Sequence, residues 1–286
     1  MTFADRVVVV TGAGSGIGRA TALAFARRGA RVHVVDLAAA RAEAVARHIR
    51  DGGGVAFAHA VDCRDGEAVA ALARDVLARE GRVDILHNNA GVGHGAPVEE
   101  TRLEDWRWVL DTNVWSVIHG VRAFVPAMLA AGRGHIINTA SAAGLFALPG
   151  AAAYSTSKFA VVGLSESLAA ELGPRGISVT AICPGIIRTN IVRDGRIDLA
   201  GQLDGARLAQ FYDRWGTDPD DVAAAVLRAA ERKPPLALVP LHAFIPWLVK
   251  RLSSPLYVSA VGAAHKYLKS MIANSSTSRS PRSSNA

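Results

Sequence analysis

Cysteine is nearly absent from this sequence, with Cys63 and Cys183 the only two in 286 residues. That excludes a disulfide scaffold and a four-cysteine zinc site. Nine histidines occur without an H-E-x-x-H pattern, so no metal site is expected. No uninterrupted apolar run reaches the roughly 20 residues of a membrane-spanning helix. The opening MTFADRVVVVTG lacks a basic segment, an apolar core and a cleavage site, so it is not expected to be a signal peptide. A reducing cytoplasm is the expected compartment. Acidic residues vanish from one region, where Glu231 is the last. Residues 228–286 hold nine Lys/Arg and that single acid, so the net charge of +7 arises there. These bases flank an apolar, proline-punctuated stretch and do not cover a reading surface with stacking aromatics, so no nucleic-acid partner is expected.

Half of the residues are hydrophobic, which excludes a wholly disordered chain. Short β-branched runs occur at residues 6–10, 31–35, 55–60, 83–87, 135–139 and 177–183. Ala/Leu/Arg-rich helical stretches separate them, as at 19–28, 38–50 and 67–79. This alternation predicts βαβ units and an α/β fold, a doubly wound Rossmann-type parallel sheet. Gly173-Pro174 closes a long helix that starts near Ala151, and Asp218-Pro219 opens another. One catalytic, dinucleotide-binding domain is expected over 1–233. Residues 234–273 form an extension that serves as lid, interface or membrane contact, and 274–286 a disordered tail. No internal repeat is found.

After the first strand comes Gly12-Ala13-Gly14-Ser15-Gly16-Ile17-Gly18, leading into a helix. Glycines permit a sharp turn and a close approach of phosphates, and the helix start favours anions. Asp36 ends the second strand, where a carboxylate can accept from both ribose hydroxyls. It would repel a 2′-phosphate, and neither Leu37 nor Ser15 offers a cation, so NAD is expected over NADP. The later strands end in Asp62, Asn88-Asn89-Ala90-Gly91, Ser141 and Pro184-Gly185, where an open parallel sheet binds ligands. Tyr154 and Lys158 stand four apart on one helix face. An ammonium there would lower the pKa of the phenol and make it a usable acid/base.

In order and spacing, these motifs with Asn113 resemble the short-chain dehydrogenase/reductase family across residues 3–232. The resemblance implies that Tyr154 is the general acid/base and that Lys158 tunes it and binds the nicotinamide ribose. Ser141 would hold the substrate oxygen, and Asn113 would anchor a water. Asp62 would meet the adenine edge, while Asn89, Ala90 and Gly91 would line the cofactor. Pro184, Gly185 and Thr189 would lie at the nicotinamide, with Thr189 on its carboxamide. It also implies a homodimer or homotetramer, with the 104–130 segment and the Tyr154 helix at the dimer axis.

Trp106, Trp108 and Trp115 are read as core or interface and both cysteines as inert, while His94, Arg188 and Arg193 fall near the expected pocket mouth, with surface solvation as the alternative. Residues 142–150 carry no charge and suggest an apolar pocket wall. The expected function is NAD-dependent interconversion of a secondary alcohol and a ketone on an apolar lipid, steroid or acyl substrate. A non-catalytic dinucleotide sensor and a membrane-associated scaffold are the alternatives, with peripheral membrane contact assigned to the extension.

Overall fold

The computed structural model describes residues 3–198, 205–240 and 244–277. Its centre is a seven-stranded parallel sheet in the order β3-β2-β1-β4-β6-β7-β9. The strands are β1 (Val7–Thr11), β2 (Arg31–Asp36), β3 (Val55–Ala60), β4 (Ile85–Asn88), β6 (Gly134–Thr139), β7 (Ile177–Pro184) and β9 (Leu236–Val239). A small parallel pair, β5 (His94–Gly95) with β8 (Arg196–Ile197), stands apart. Strands such as β1 and β4 are buried along their whole length, because helices cover both faces.

One face packs against α1 (Gly16–Ala26), α2 (Ala39–Asp51) and α8 (Pro219–Arg232). The other packs against α3 (Gly66–Glu80), α5 (Ser116–Ala130) and α6 (Ala152–Leu172). The Asp218 side chain caps α8 by accepting from Asp220 N, with Pro219 at the first helical position. The fourth strand starts later than the pattern suggests, because Asp84 turns inward and accepts from Val7 N at 2.9 Å. Between α4 (Leu103–Leu110) and α5 the chain makes one π-helical turn, Asp111–Trp115, which carries Asn113.

The strand β9 lies in the segment read as the extension, and it completes the sheet beside β7. Beyond it come α9 (Phe244–Leu252) and α10 (Ser254–Thr277), while α7 (Gly205–Trp215) precedes α8. Pro246 falls within the first turn of α9, where a missing N–H costs least. Residues 274–277, expected to be disordered, are the last turn of α10. Leu241 and 278–286 lie outside the described residues.

Candidate active site

The strand order reverses between β1 and β4, where a crevice opens at the carboxyl ends of the strands. A cavity of about 920 Å³ occupies it. Gly12 and Gly16 adopt φ of 61° and 51°, a left-handed backbone that favours glycine. At Gly14 a Cβ would stand 2.7 Å from Asp36 Oδ2, so only glycine admits the carboxylate. Gly14 N donates to that oxygen at 2.9 Å, and Ala38 N donates to Oδ1 at 2.9 Å. Asp36 thus bridges the glycine turn and the start of α2, keeping lone pairs for a ligand.

A cation stands beside it after all: Arg41 Nε lies 3.5 Å from Asp36 Oδ1, and its guanidinium also reaches Asp194. The first turn of α2 folds Arg41 back onto the Asp36 carboxylate.

Asn89 ties the crevice shut from below. Its Nδ2 donates to the carbonyls of Thr11 and Gly12, and Thr11 Oγ1 accepts from Asn89 N and Ala90 N. Ser15, Ile17, Gly91, Pro184 and Gly185 line the cavity. Thr189 also lines it and packs on the glycine turn, about where a Cβ on Gly16 would point. Gly18 is set behind the lining, where a side chain would run into the Gly12 carbonyl and Asn89. Asp62 lines the cavity too, but its carboxylate is bracketed by Arg64 at 2.6–3.0 Å, which holds it below the usual carboxylate range. An adenine edge there meets an ion pair and not a bare acid.

Ser141, Tyr154 and Lys158 converge on the same cavity. Ser141 Oγ accepts from Ala143 N at 3.1 Å, which fixes its rotamer. Burial pushes the Tyr154 hydroxyl up to about 12, a hydrogen bond with Ser141 offsets part of this, and the nearby Tyr212 adds to the rise. Burial brings the Lys158 ammonium down to about 8. Lys158 Nζ donates to Thr139 O at 3.0 Å and lies 5.7 Å from the Tyr154 ring centre. In the protein alone, desolvation outweighs any lowering of the phenol by this ammonium.

Asn113 is fully buried behind the cavity. Its amide bonds Val92 N, Val92 O and Ser157 Oγ, leaving one Oδ1 lone pair for a water. It acts as a strut between the Gly91 loop and α6.

The substrate side is lined by Phe146, Leu148, Val192, Leu208, Tyr212 and Trp215. Trp108 belongs to this wall, contrary to its core or interface reading, and Arg196 stacks on its ring at 4.3 Å. Arg196 also pairs with Asp105, which Arg102 flanks, so β8 is pinned over α4. His94, expected near the pocket mouth with surface solvation as the alternative, is buried and lines the cavity. Arg188 and Arg193 are half exposed and paired with Asp218 and Asp213. Both thiols are buried and pushed up to about 12, as inert cysteines should be.

The C-terminal helices close the far wall. Lys250 Nζ donates to Leu145 O at 2.8 Å and lies 4.0 Å over the Phe159 ring. Tyr257 donates to Ala147 O at 2.8 Å. The 142–150 loop is thus held from outside by α9 and α10. Among the described residues no cluster of three His, Cys, Asp or Glu is placed to hold a metal ion.

Residues 6–199 match the family model described as short chain dehydrogenase. A Mycobacterium tuberculosis protein named "Probable oxidoreductase EphD" is 39% identical over 87% of this chain, which spans only 43% of that protein's length. A short chain dehydrogenase/reductase from Burkholderia phymatum in complex with NAD superposes with a TM-score of 0.84 at 32% identity, covering 90% of this chain and 96% of that one. A Beutenbergia cavernae structure with bound NADP gives 0.72 at 40%, covering 83% and 95%. With a seven-stranded parallel sheet, a glycine turn and one crevice holding Ser141, Tyr154 and Lys158, the chain belongs to the short-chain dehydrogenase/reductase family.

Proposed function

We propose that the chain is an NAD-dependent oxidoreductase that interconverts a secondary alcohol and a ketone on an apolar substrate. The convergence of Ser141, Tyr154 and Lys158 on the cavity that holds Asp36 carries this reading. The fit to a dinucleotide rests on the glycine cradle: side chains at positions 12, 14 and 18 would occupy the space beside Asn89, Ala90 and Asp36. The dinucleotide, when bound, supplies the hydride acceptor or donor.

The protein's own groups handle position and proton. Ser141 Oγ is held at the carboxyl end of β6 and donates to the substrate oxygen. Tyr154, kept protonated by burial, delivers its proton to that oxygen during ketone reduction. In alcohol oxidation the same oxygen returns the proton to the Tyr154 phenolate. Lys158 sits 19 residues from Thr139 in sequence and is anchored on its carbonyl, which directs the ammonium at the ribose. Asn113 braces the Gly91 loop against α6 and holds a water on its remaining lone pair.

NAD is favoured because Asp36 faces the ribose with Arg41 already neutralised by Asp36 and Asp194. Phe146, Leu148, Leu208 and Trp215 make the substrate side apolar, which supports a lipid, steroid or acyl substrate. The exposed Trp115 and Leu103 on the α4–α5 surface support a homodimer or homotetramer through that face. A cytoplasmic location fits this reading; among the described residues no helix is long and apolar enough to cross a membrane. The test is NADH formation from a panel of short and long-chain secondary alcohols, with NAD and NADP in parallel. Turnover restricted to polyols, or to NADP, would sink the substrate or cofactor part.

A further inference from the structure

The two sides of α9 differ in what they touch. Its inner side is spent on the pocket: Trp247 packs against the Val117–Val161–Val162 cluster, Lys250 holds the Leu145 carbonyl, and Pro246 lines the cavity. Its outer side carries Ile245, Leu248, Val249 and Leu252, at spacings of three and four that place them along one stripe. All four are exposed, Leu252 at 79%, and the stripe continues into α10 with the exposed Leu256 and Val258. Among the described residues nothing covers these side chains, and so many contiguous exposed apolar groups mark a docking surface.

The stripe meets the cavity mouth. Trp215, Leu148 and Ile186 are exposed and line the cavity at the same time. Pro246 lies next to Ile245 and lines it as well. Pro246 thus links the helix that carries the stripe to the lining of the cavity that holds Tyr154.

Charge selects the occupant. Arg251 is exposed at the edge between the two sides, its guanidinium 5.2 Å from the Trp247 ring centre, Lys266 is exposed on α10, and no acid follows Glu231 in the sequence. A second copy paired through this face would bring like charges together, since a two-fold interface sets the same patch against itself. Anionic phospholipid offers the opposite charge beside an apolar layer.

We infer that the outer face of α9 and the start of α10 docks on an anionic membrane surface and opens the substrate cavity toward the bilayer. The inference deepens the apolar-substrate reading by naming where that substrate is taken up. Among the described residues no helix is long and apolar enough to span the bilayer; the stripe lies in the interface.

The experiment is sedimentation of the full chain with phosphatidylcholine vesicles, with and without phosphatidylglycerol, at low and high salt. Binding is expected only to the anionic vesicles and is weakened by salt. Leu252→Asp and Arg251→Glu should each lower partitioning about tenfold or more, since one basic side chain near such a surface is worth about fivefold and reversal doubles the effect on a log scale. Both positions lie outside the catalytic set, so NADH formation from a short water-soluble alcohol should be unchanged in both variants. Failure to sediment with either vesicle, or equal sedimentation with both in all variants, overturns the inference. A concentration-dependent dimer that Leu252→Asp dissociates assigns the face to a second copy and overturns it too. Vesicle binding is read without turnover. Absence of vesicle binding by the unmodified chain, with NADH still formed, refutes the docking alone, and binding without turnover on any alcohol refutes the proposed reaction alone.

Discussion

Lys158 Nζ and the main-chain carbonyl of Thr139 are joined at 3.0 Å, and through Thr139 the ammonium is linked to the glycine turn. The Thr139 hydroxyl donates to Asn89 Oδ1, so it accepts from His87 Nε2. Asn89 in turn donates to the Thr11 and Gly12 carbonyls. The cation that faces the cavity and the backbone that cradles the phosphates thus share one buried hydrogen-bonded path.

Catalysis should separate the two members of the motif. Tyr154→Phe keeps the ring and removes the proton donor, so turnover should fall by at least ~10²-fold with cofactor affinity retained. Lys158→Ala should lose both turnover and cofactor affinity, because it removes the Thr139 anchor and the ribose contact together. Steady-state rates with dinucleotide titration by fluorescence check both. A Tyr154→Phe enzyme with near-normal turnover refutes the assignment.

The direction of reaction should depend on pH. The Tyr154 hydroxyl is pushed up to about 12, so near neutrality it is protonated and ready to donate. Ketone reduction should therefore be flat from about pH 6 to 7, below the value of about 8 at which the Lys158 ammonium loses its proton. Alcohol oxidation needs the phenolate and should rise across the same range. Oxidation that is also flat would mean another group takes the proton.

Arg41 should govern cofactor choice as much as Asp36 does. Asp36→Ala removes the repulsion and releases Arg41, so preference should move toward NADP by about 10²-fold. Adding Arg41→Ala should undo much of that gain, because the freed guanidinium would be the phosphate's partner. Ratios of kcat/KM for NAD and NADP in the three proteins decide it. An unchanged ratio in Asp36→Ala would show that Asp36 does not face the ribose.

The parallel sheet and the catalytic motifs were legible because each rests on local pattern: buried β-branched runs, glycines before a helix, Tyr and Lys one turn apart. β9 was hidden because Leu236–Val239 is short and bracketed by Pro235 and Pro240, which read as a linker; prolines are tolerated at the ends of an edge strand. The π-helical turn at Asn113 breaks the 3.6-residue period, so periodicity alone gives no sign of it. Arg196 reaches Asp105 across 91 residues, a pairing that no local spacing encodes. Trp108 and His94 became cavity lining only once β8 closed over α4.

Two buried histidines should make the fold acid-sensitive. Burial lowers His87 to about 3 and His135 to about 4, from an ordinary 6.5. A lowered folded pKa means that the unfolded chain binds the proton first. The stability that depends on neutral imidazoles is whole above about pH 6.5 and is lost as pH falls toward 4 and 3. At pH 5 the cost is up to about 2 kcal/mol for each ring. Urea midpoints at pH 7.5 and 5 should show the drop, and His135→Asn should make it smaller. Identical midpoints at the two pH values would mean that neither ring is buried neutral.

The contacts of Lys250 and Tyr257 predict that the C-terminal helices set substrate affinity. Both side chains hold carbonyls of the loop that follows Ser141, at Leu145 and Ala147, and Phe146 between them lines the cavity. Lys250→Met removes the ammonium, and with it the charge-assisted bond to Leu145 O and the contact over the Phe159 ring, together worth about 1.5 kcal/mol after allowance for partial exposure. Freed from that bond, the wall at Phe146 should loosen while the glycine turn stays put. The KM for a long apolar substrate should therefore rise about tenfold, with the KM for NAD unchanged. Tyr257→Phe should act in the same direction and less strongly, since its bond is uncharged. A rise in the NAD constant instead would place these helices on the cofactor side, and no change in either would leave them without a part in the pocket.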